Sequence, residues 1–362
     1  MDVMTDRRAL HQIPEVELSL PETAAYLKKV LQPLRCTLTY PIGDAVCAFF
    51  DFGAAEAIAF RADMDALPIS EQTGLCFAST HPGRMHACGH DGHMATLLEL
   101  ARRLNKKEKL PHNVLLIFQP GEESPGGAKP LCETGILEHY KVKAIFGLHL
   151  WPGLEEGVIF TREKELMSRG SELTVDLYGK SSHISNPAAG IDATAAAVEF
   201  YRRARMAEAE LPENVFRLLN FGKFESGTVR NALSAHAHLE GSLRAFQDDV
   251  FDSLRRQLYR IADDVEKQFG CRVHVHLADG YPAVINDPAL VAKVCRIADV
   301  KLLKKPSMTS EDFSEYQRRV PGVFFFLGIG DAPALHATTF NFDEEILLKG
   351  ADLFEKLAEQ FQ

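Results

Sequence analysis

Three runs of this sequence are apolar at almost every position: Asn113–Gln119 (NVLLIFQ), Val142–Leu150 (VKAIFGLHL) and Val323–Leu327 (VFFFL). A strand with one wet face alternates polar and apolar residues. A short run without alternation belongs instead to a strand buried on both faces. Sheets covered on both sides are largely parallel, because helical crossovers supply the cover. A helical pattern falls between two of these runs: Met94–Leu104 is apolar at 94, 97, 98, 100, 101 and 104. Ala45–Phe52 and Ala57–Arg61 read as a further pair of strands joined by a turn around Gly53. The expected core is therefore an α/β layer structure with a mostly parallel sheet.

Near residue 170 the texture changes. Ser171–Tyr178, Phe216–Phe224, Ser234–Ala245 and Cys271–Leu277 alternate like half-buried strands, and Ile191–Met206 and Asp248–Phe269 have helical patterns. Their order, βαββαβ, is that of a ferredoxin-like α+β unit. Helical Pro288–Leu302, the strand at 322–327 and helical Glu344–Phe361 then lack a partner of their own and return to the first sheet. A chain of 362 residues is long enough for two domains. They are expected to be nested. Residues 1–169 and 281–362 would make the catalytic α/β domain, and 170–280 an inserted lid and dimerisation domain.

Forty basic against fifty acidic side chains give a net charge of −10, with no long basic run. Phosphate binding requires concentrated Lys and Arg, so neither nucleic acid nor an anionic membrane is an expected partner. No segment approaches the roughly 20 apolar residues that span a bilayer, and the charged start does not read as a signal peptide. Seven scattered cysteines do not form a disulfide framework, and a reducing cytoplasm is the expected location.

Chemistry concentrates at a few points. Between His86 and His93, in MHACGHDGH, stand three histidines, Cys88 and Asp91, just ahead of a helix. Thiolate and imidazole are preferred ligands of zinc and similar ions. A cysteine nucleophile with a histidine base is the rival reading of the same residues. Gln119-Pro120-Gly121-Glu122-Glu123 ends a buried strand, where open α/β sheets place their ligands. Two adjacent carboxylates there are either a solvated loop or, beside a metal, one ligand and one general base. His149 and His336 are each either a satisfied interior histidine or a ligand. Asp63 and Asp65 follow another strand end. What unites these segments is one sheet edge.

Together these residues resemble the metal-dependent amidohydrolases of the aminoacylase/carboxypeptidase superfamily. The branch most similar holds hippurate hydrolases, auxin-conjugate hydrolases and N-acetyldiaminopimelate deacetylases. The likeness runs nearly end to end, through RRALHQIPE, RADMDALPI, GRMHACGHDGHM, FQPGEE, GLHLWP, GKSSH, SEDFSEY and LHATTFNFDEE. It implies that Cys88, His90, Glu123, His149 and His336 hold two divalent metal ions, zinc or manganese, with cobalt or nickel able to substitute. It implies that Glu122 is the general acid/base acting on a metal-bound water, and that Asp65 orients the metal site. It places His183 at the substrate carbonyl, often from the partner subunit of a homodimer, and Asn231 and Arg244 at the substrate carboxylate.

The reaction implied is hydrolysis of a small N-acyl amino acid (acetyl, benzoyl or similar) to a carboxylic acid and a free amino acid. Dipeptidase or carboxypeptidase cleavage of small peptides is the alternative within catalysis. A non-catalytic metal-binding relative would be marked by loss of Glu122 or of ligands, and none is lost. Ser181-Ser182-His183 departs from the usual Gly-Gly-His, QPGEE from QPAEE, and Ile13 stands where histidine is frequent.

Overall fold

The computed structural model describes residues 2–362. The chain forms two compact units: one of the residues through Leu166 with Ile285–Pro306 and Asp312–Gln362, the other of Met167–Val284 with Ser307–Glu311. The crossings thus fall at 166 and 284, a few residues from those read in the sequence, and 307–311 joins the second unit. Backbone chemistry explains that excursion. Ser168 N donates to Thr309 O at 2.8 Å, and Ser168 Oγ donates to Met308 O at 2.8 Å.

The first unit is built on an eight-stranded sheet. Across it run Thr37–Thr39, Val46–Phe50, Asn113–Gln119, Ala57–Asp63, Val142–Trp151, Gly322–Gly328, Ile159–Thr161 and Lys301–Leu302. The four central strands are mutually parallel, and Val46–Phe50 and Ile159–Thr161 pair antiparallel with them on either side. Every residue of strands 57–63, 113–119 and 322–328 is buried, as expected of largely apolar runs, and of the polar exceptions Arg61, Asp63 and Gln119 hydrogen-bond within the interior. Phe60 and Phe146 pack with ring centres 5.5 Å apart, and Phe354 of the closing helix Leu347–Gln360 lies 4.9 Å from Phe60. Each such buried ring contributes about 1.5–3 kcal/mol. Gly147 is a packing necessity, because a Cβ there would stand 2.7 Å from the Phe324 ring and 2.8 Å from that of Phe313.

The strands at 46–50 and 57–63 do not pair with each other, contrary to the sequence reading. Strand 113–119 lies between them. Asn113 shows how: its Oδ1 accepts from Phe52 N at 2.8 Å and Ala54 N at 3.2 Å, and its Nδ2 donates to Ala54 O at 2.8 Å. The connection therefore arches over the start of strand 113–119 and is not a hairpin turn. The helix expected over 288–302 is likewise shorter, Pro288–Ile297, because Ala298 turns extended and Lys301–Leu302 joins the sheet edge. No helix among the described residues is long and apolar enough to cross a membrane.

In the second unit the elements follow the βαββαβ order, with sheet order Arg272–Leu277, Arg169–Tyr178, His236–Ala245, Arg217–Ser226, all antiparallel. Helices Ala193–Ala209 and Asp248–Phe269 cover one face, and Phe200, Phe251, Leu254 and Leu258 pack on Leu173, Val175, Leu239 and Leu243. Alternation is the cause, since every second strand residue points to those helices.

The opposite sheet face is polar. There Asp176 Oδ1 lies 2.8 Å from His238 Nδ1 and 2.9 Å from His236 Nε2. Hydrogen bonds to Asp176 and Glu240 lift His238 above its ordinary 6.5. A raised histidine stabilises fully below its unfolded value and loses that contribution as pH rises through the folded one. In Asp176→Asn the His238 midpoint, followed by NMR titration, is expected to fall toward 6.5. An unchanged midpoint would refute the pairing.

Candidate metal centre

Asp63 and Gln119 end two parallel neighbours, and His149 stands near the end of a third, so their loops share one sheet edge. Helix His90–Leu104 starts against that edge. Gly89 is left-handed (φ 86°), which lets the chain pass from Cys88 directly into the helix. The helix thus begins four residues earlier than its apolar pattern suggested, and His90 and His93, one turn apart, share a face. His336 follows strand 322–328, and its backbone N donates to Ala87 O at 2.8 Å. Its φ of 67° is uncommon for a residue with a side chain, so the loop is held beside Cys88 at some conformational cost.

The hydrogen bonds set the ring protons. His90 Nδ1 faces Asp65 O at 2.7 Å and His149 Nδ1 faces Leu150 O at 2.7 Å. Carbonyls only accept, so both rings carry the proton on Nδ1 and present the Nε2 lone pair to the site. His149 Nε2 stands 3.4 Å from Cys88 Sγ. Asp65 organises the rest: its carboxylate accepts from Glu122 N at 2.9 Å and Glu123 N at 3.0 Å. One residue therefore sets the register of His90 and of both glutamates.

Burial lowers the pKa of His90 and, more strongly, of His149, which keeps both rings neutral. Burial pushes the Cys88 thiol well up, and the charges of Glu123 and Glu122 push it further. Burial also raises Asp65 well above the usual carboxylate range, against the pull of its two N–H donors. Against the cost of its own burial, Glu123 is held low by His336 and His90, while hydrogen bonding to Glu123 lifts His336.

Do these residues suit metal ions? Ligand atoms of Cys88, His90 and His149 lie within 4.8 Å of one another, as do those of Cys88, Glu123 and His336, and of His90, Glu122 and Glu123. Thiolate, imidazole and carboxylate are the donors that zinc-like ions take. His90 Nε2 is buried without a hydrogen bond, a condition polar atoms seldom tolerate, and Glu123 Oε1 faces His336 Nε2 at 3.2 Å. A cation satisfies both a lone pair and a carboxylate oxygen. The first two triplets overlap at Cys88, so the donor set fits two divalent cations better than one.

The other expected residues belong to the second unit. His183 and Asn231 are neighbours there, since Ile184 N donates to Asn231 O at 3.0 Å and His183 bridges to Ala232. His183 Nδ1 lies 2.7 Å from Ser185 Oγ. Ser182 O accepts from Leu233 N at 2.9 Å, so the double serine takes part in the same pairing. Arg244 Nε donates to Ser242 Oγ at 3.2 Å, and its Nη1 donates to Met308 O.

Sequence reasoning gave no role to Arg7, His11, Arg61 and Asp312, the buried partners of Asp63, Gln119 and Asp91. Arg61 donates to Asp63 Oδ2 at 2.9 Å, to Gln119 Oε1 at 2.9 Å and to Asp312 Oδ1 at 2.7 Å. Arg7 and His11 both bond Asp91 Oδ2, at 3.0 and 2.8 Å. The available signals were the i,i+2 spacing of Arg61 and Asp63 on one strand face and a charged motif, SEDF, with no assigned task.

The sequence pattern of peptidase family M20/M25/M40 matches residues 59–360. This chain belongs to that family. A Staphylococcus epidermidis relative, described as an uncharacterized hydrolase, is 34% identical over 99% of this chain and 98% of its own length. Among solved structures, a putative aminohydrolase from methicillin-resistant Staphylococcus aureus superposes with a TM-score of 0.89 at 30% identity, covering 98% of this chain and 95% of that one. A Bacillus subtilis protein described as a dinuclear metal binding peptidase from the M20 family does so with a TM-score of 0.85 at 30% identity, covering 98% and 96%. The chain is thus an M20 family hydrolase, with that family's large mixed α/β sheet.

Proposed function

We propose that this M20 hydrolase is a metal-dependent amidohydrolase that cleaves small N-acyl amino acids to a carboxylic acid and a free amino acid. Cys88, His90, Glu123, His149 and His336 would hold two divalent cations. The observation that carries the reading is the overlap of the ligand triplets at Cys88, with Glu122 sharing a third triplet with His90 and Glu123. When bound, such ions supply Lewis acidity that polarises a carbonyl and acidifies water.

The protein's own groups do the rest. Glu122 accepts a proton from the attacking water at its carboxylate and returns it to the departing nitrogen, so the amine leaves neutral. Asp65, through the Glu122 and Glu123 amides, holds that carboxylate in register. His183 would donate a hydrogen bond to the developing oxyanion, an interaction whose loss typically costs a few kcal/mol. Arg244 and Asn231 would hold the substrate carboxylate and thereby orient the amide. Two copies of the chain, associated through the second unit, belong to the same proposal.

Cleavage of small peptides is the second reading, favoured by the Bacillus subtilis relative described as a peptidase. Both substrates present an amide beside a free carboxylate. A panel of N-acetyl and N-benzoyl amino acids and dipeptides, assayed with added Mn²⁺ or Zn²⁺ and mass spectrometry of both products, separates the two. Turnover of the acyl amino acids ahead of the dipeptides is expected. Preference for dipeptides selects the second reading, and no turnover of either sinks both.

A further inference from the structure

We propose that His93 is a positioning residue: clamped between Asp63 and the Leu150 amide, it stations the strand end that carries His149. The inference rests on the metal-centre reading above, because it concerns where His149 is held.

Leu150 N is an obligate donor, and it meets His93 Nε2 at 2.9 Å. That nitrogen must therefore offer a lone pair, which leaves the ring proton on Nδ1. Nδ1 in turn faces Asp63 Oδ1 at 2.6 Å, a carboxylate acceptor. Both nitrogens are spent. Although ligand atoms of Asp63, His90 and His93 lie within 4.8 Å of one another, His93 has no lone pair left for a cation.

The chain of contacts extends in both directions. Asp63 is itself anchored by Arg61, and Arg61 by Asp312, all of them buried. On the other side, Leu150 is gripped at three points. His93 accepts its N–H, His149 Nδ1 donates to its carbonyl, and its side chain fills a notch above Gly89 and Gly92, where a Cβ would come within 2.9 and 3.0 Å of Leu150 Cδ1. The His93 ring also packs against both candidate ligands, 4.6 Å from the His149 ring and 5.4 Å from that of His90. Loss of the Nε2 acceptor would leave a buried N–H unpaired and release the segment that holds His149 Nε2 beside Cys88.

Two isosteres separate the two bonds. His93→Asn places an amide nitrogen near Nδ1, keeping the donor to Asp63 and losing the acceptor for Leu150. His93→Gln places an amide oxygen near Nε2 and keeps that acceptor. In the full-length chain, nitrogen-15 shifts of His93 are expected to report the Nδ1–H form. In His93→Asn the Leu150 amide should exchange faster, and calorimetric titration with Mn²⁺ should show one of two equivalents weakened about 10–100-fold. His93→Gln should restore slow exchange and both equivalents.

An Nε2–H ring or an imidazolium, wild-type Mn²⁺ binding by His93→Asn, or equal loss of both equivalents in both variants would overturn the proposal. Failure of the wild type to bind two equivalents overturns the metal reading and the positioning role with it. In that case the ring tautomer and Leu150 exchange still report whether the clamp exists, so the two failures are distinguishable.

Discussion

Glu122→Gln is expected to lower kcat by about 10²–10⁴-fold, the range that general acid–base catalysis supplies, while metal content stays at the wild-type level. The substitution is isosteric and keeps the backbone N–H that Asp65 accepts at 2.9 Å. It removes only the ability to take a proton from water and return it to nitrogen. Because Glu123, and not Glu122, completes the triplet with Cys88 and His336, the cations should remain. Steady-state kinetics and elemental analysis on one sample decide the matter. Full activity would remove Glu122 from catalysis, whereas loss of metal would make it a ligand.

Removing the proposed ligands should separate the two proposed cation positions. Cys88 belongs to both the His90–His149 triplet and the Glu123–His336 triplet, so Cys88→Ala is expected to lose both equivalents. His149→Ala breaks only the first and should retain one. Activity should fall in both variants by more than the 10–100-fold that loss of a supporting hydrogen bond typically costs. Stability gives an independent reading. A ligand present at a hundredfold its Kd stabilises the folded state by about 2.7 kcal/mol, so added Mn²⁺ should raise the wild-type Tm and leave that of Cys88→Ala unmoved. Two equivalents in Cys88→Ala, or none in His149→Ala, would contradict the shared-ligand arrangement.

Much of this is legible in the amino-acid sequence. The runs at 113–119, 142–150 and 323–327 announce strands buried on both faces, because alternation disappears only when neither side meets water. The alternating segments after residue 170 announce a sheet covered on one face. The density of His, Cys and paired Glu at strand ends marks a metal centre, since those side chains together are costly to bury without cations. Neighbour relations were less visible. Strands 46–50 and 57–63 are adjacent in sequence and looked paired, yet a crossover through helix His90–Leu104 brings 113–119 between them. Local pattern reports which faces are buried, and it carries no information about which distant strand supplies the hydrogen bonds.

The site divides along the same line. Residue types alone determined which groups are able to bind a cation: a thiol, imidazoles and carboxylates remain donors wherever they fold. Only the tertiary structure decided which of them face one another and with which nitrogen. His90 and His93 stand one turn apart on the same helical face, with the same side chain and similar burial. One meets a carbonyl at Nδ1 and keeps its Nε2 lone pair for the site, while the other meets a carboxylate and an amide and keeps none. That difference is made by Asp63, Asp65 and Leu150, residues brought from other strand ends. A hydrogen bond depends on where its partner stands in space, and spacing along the chain does not encode that position.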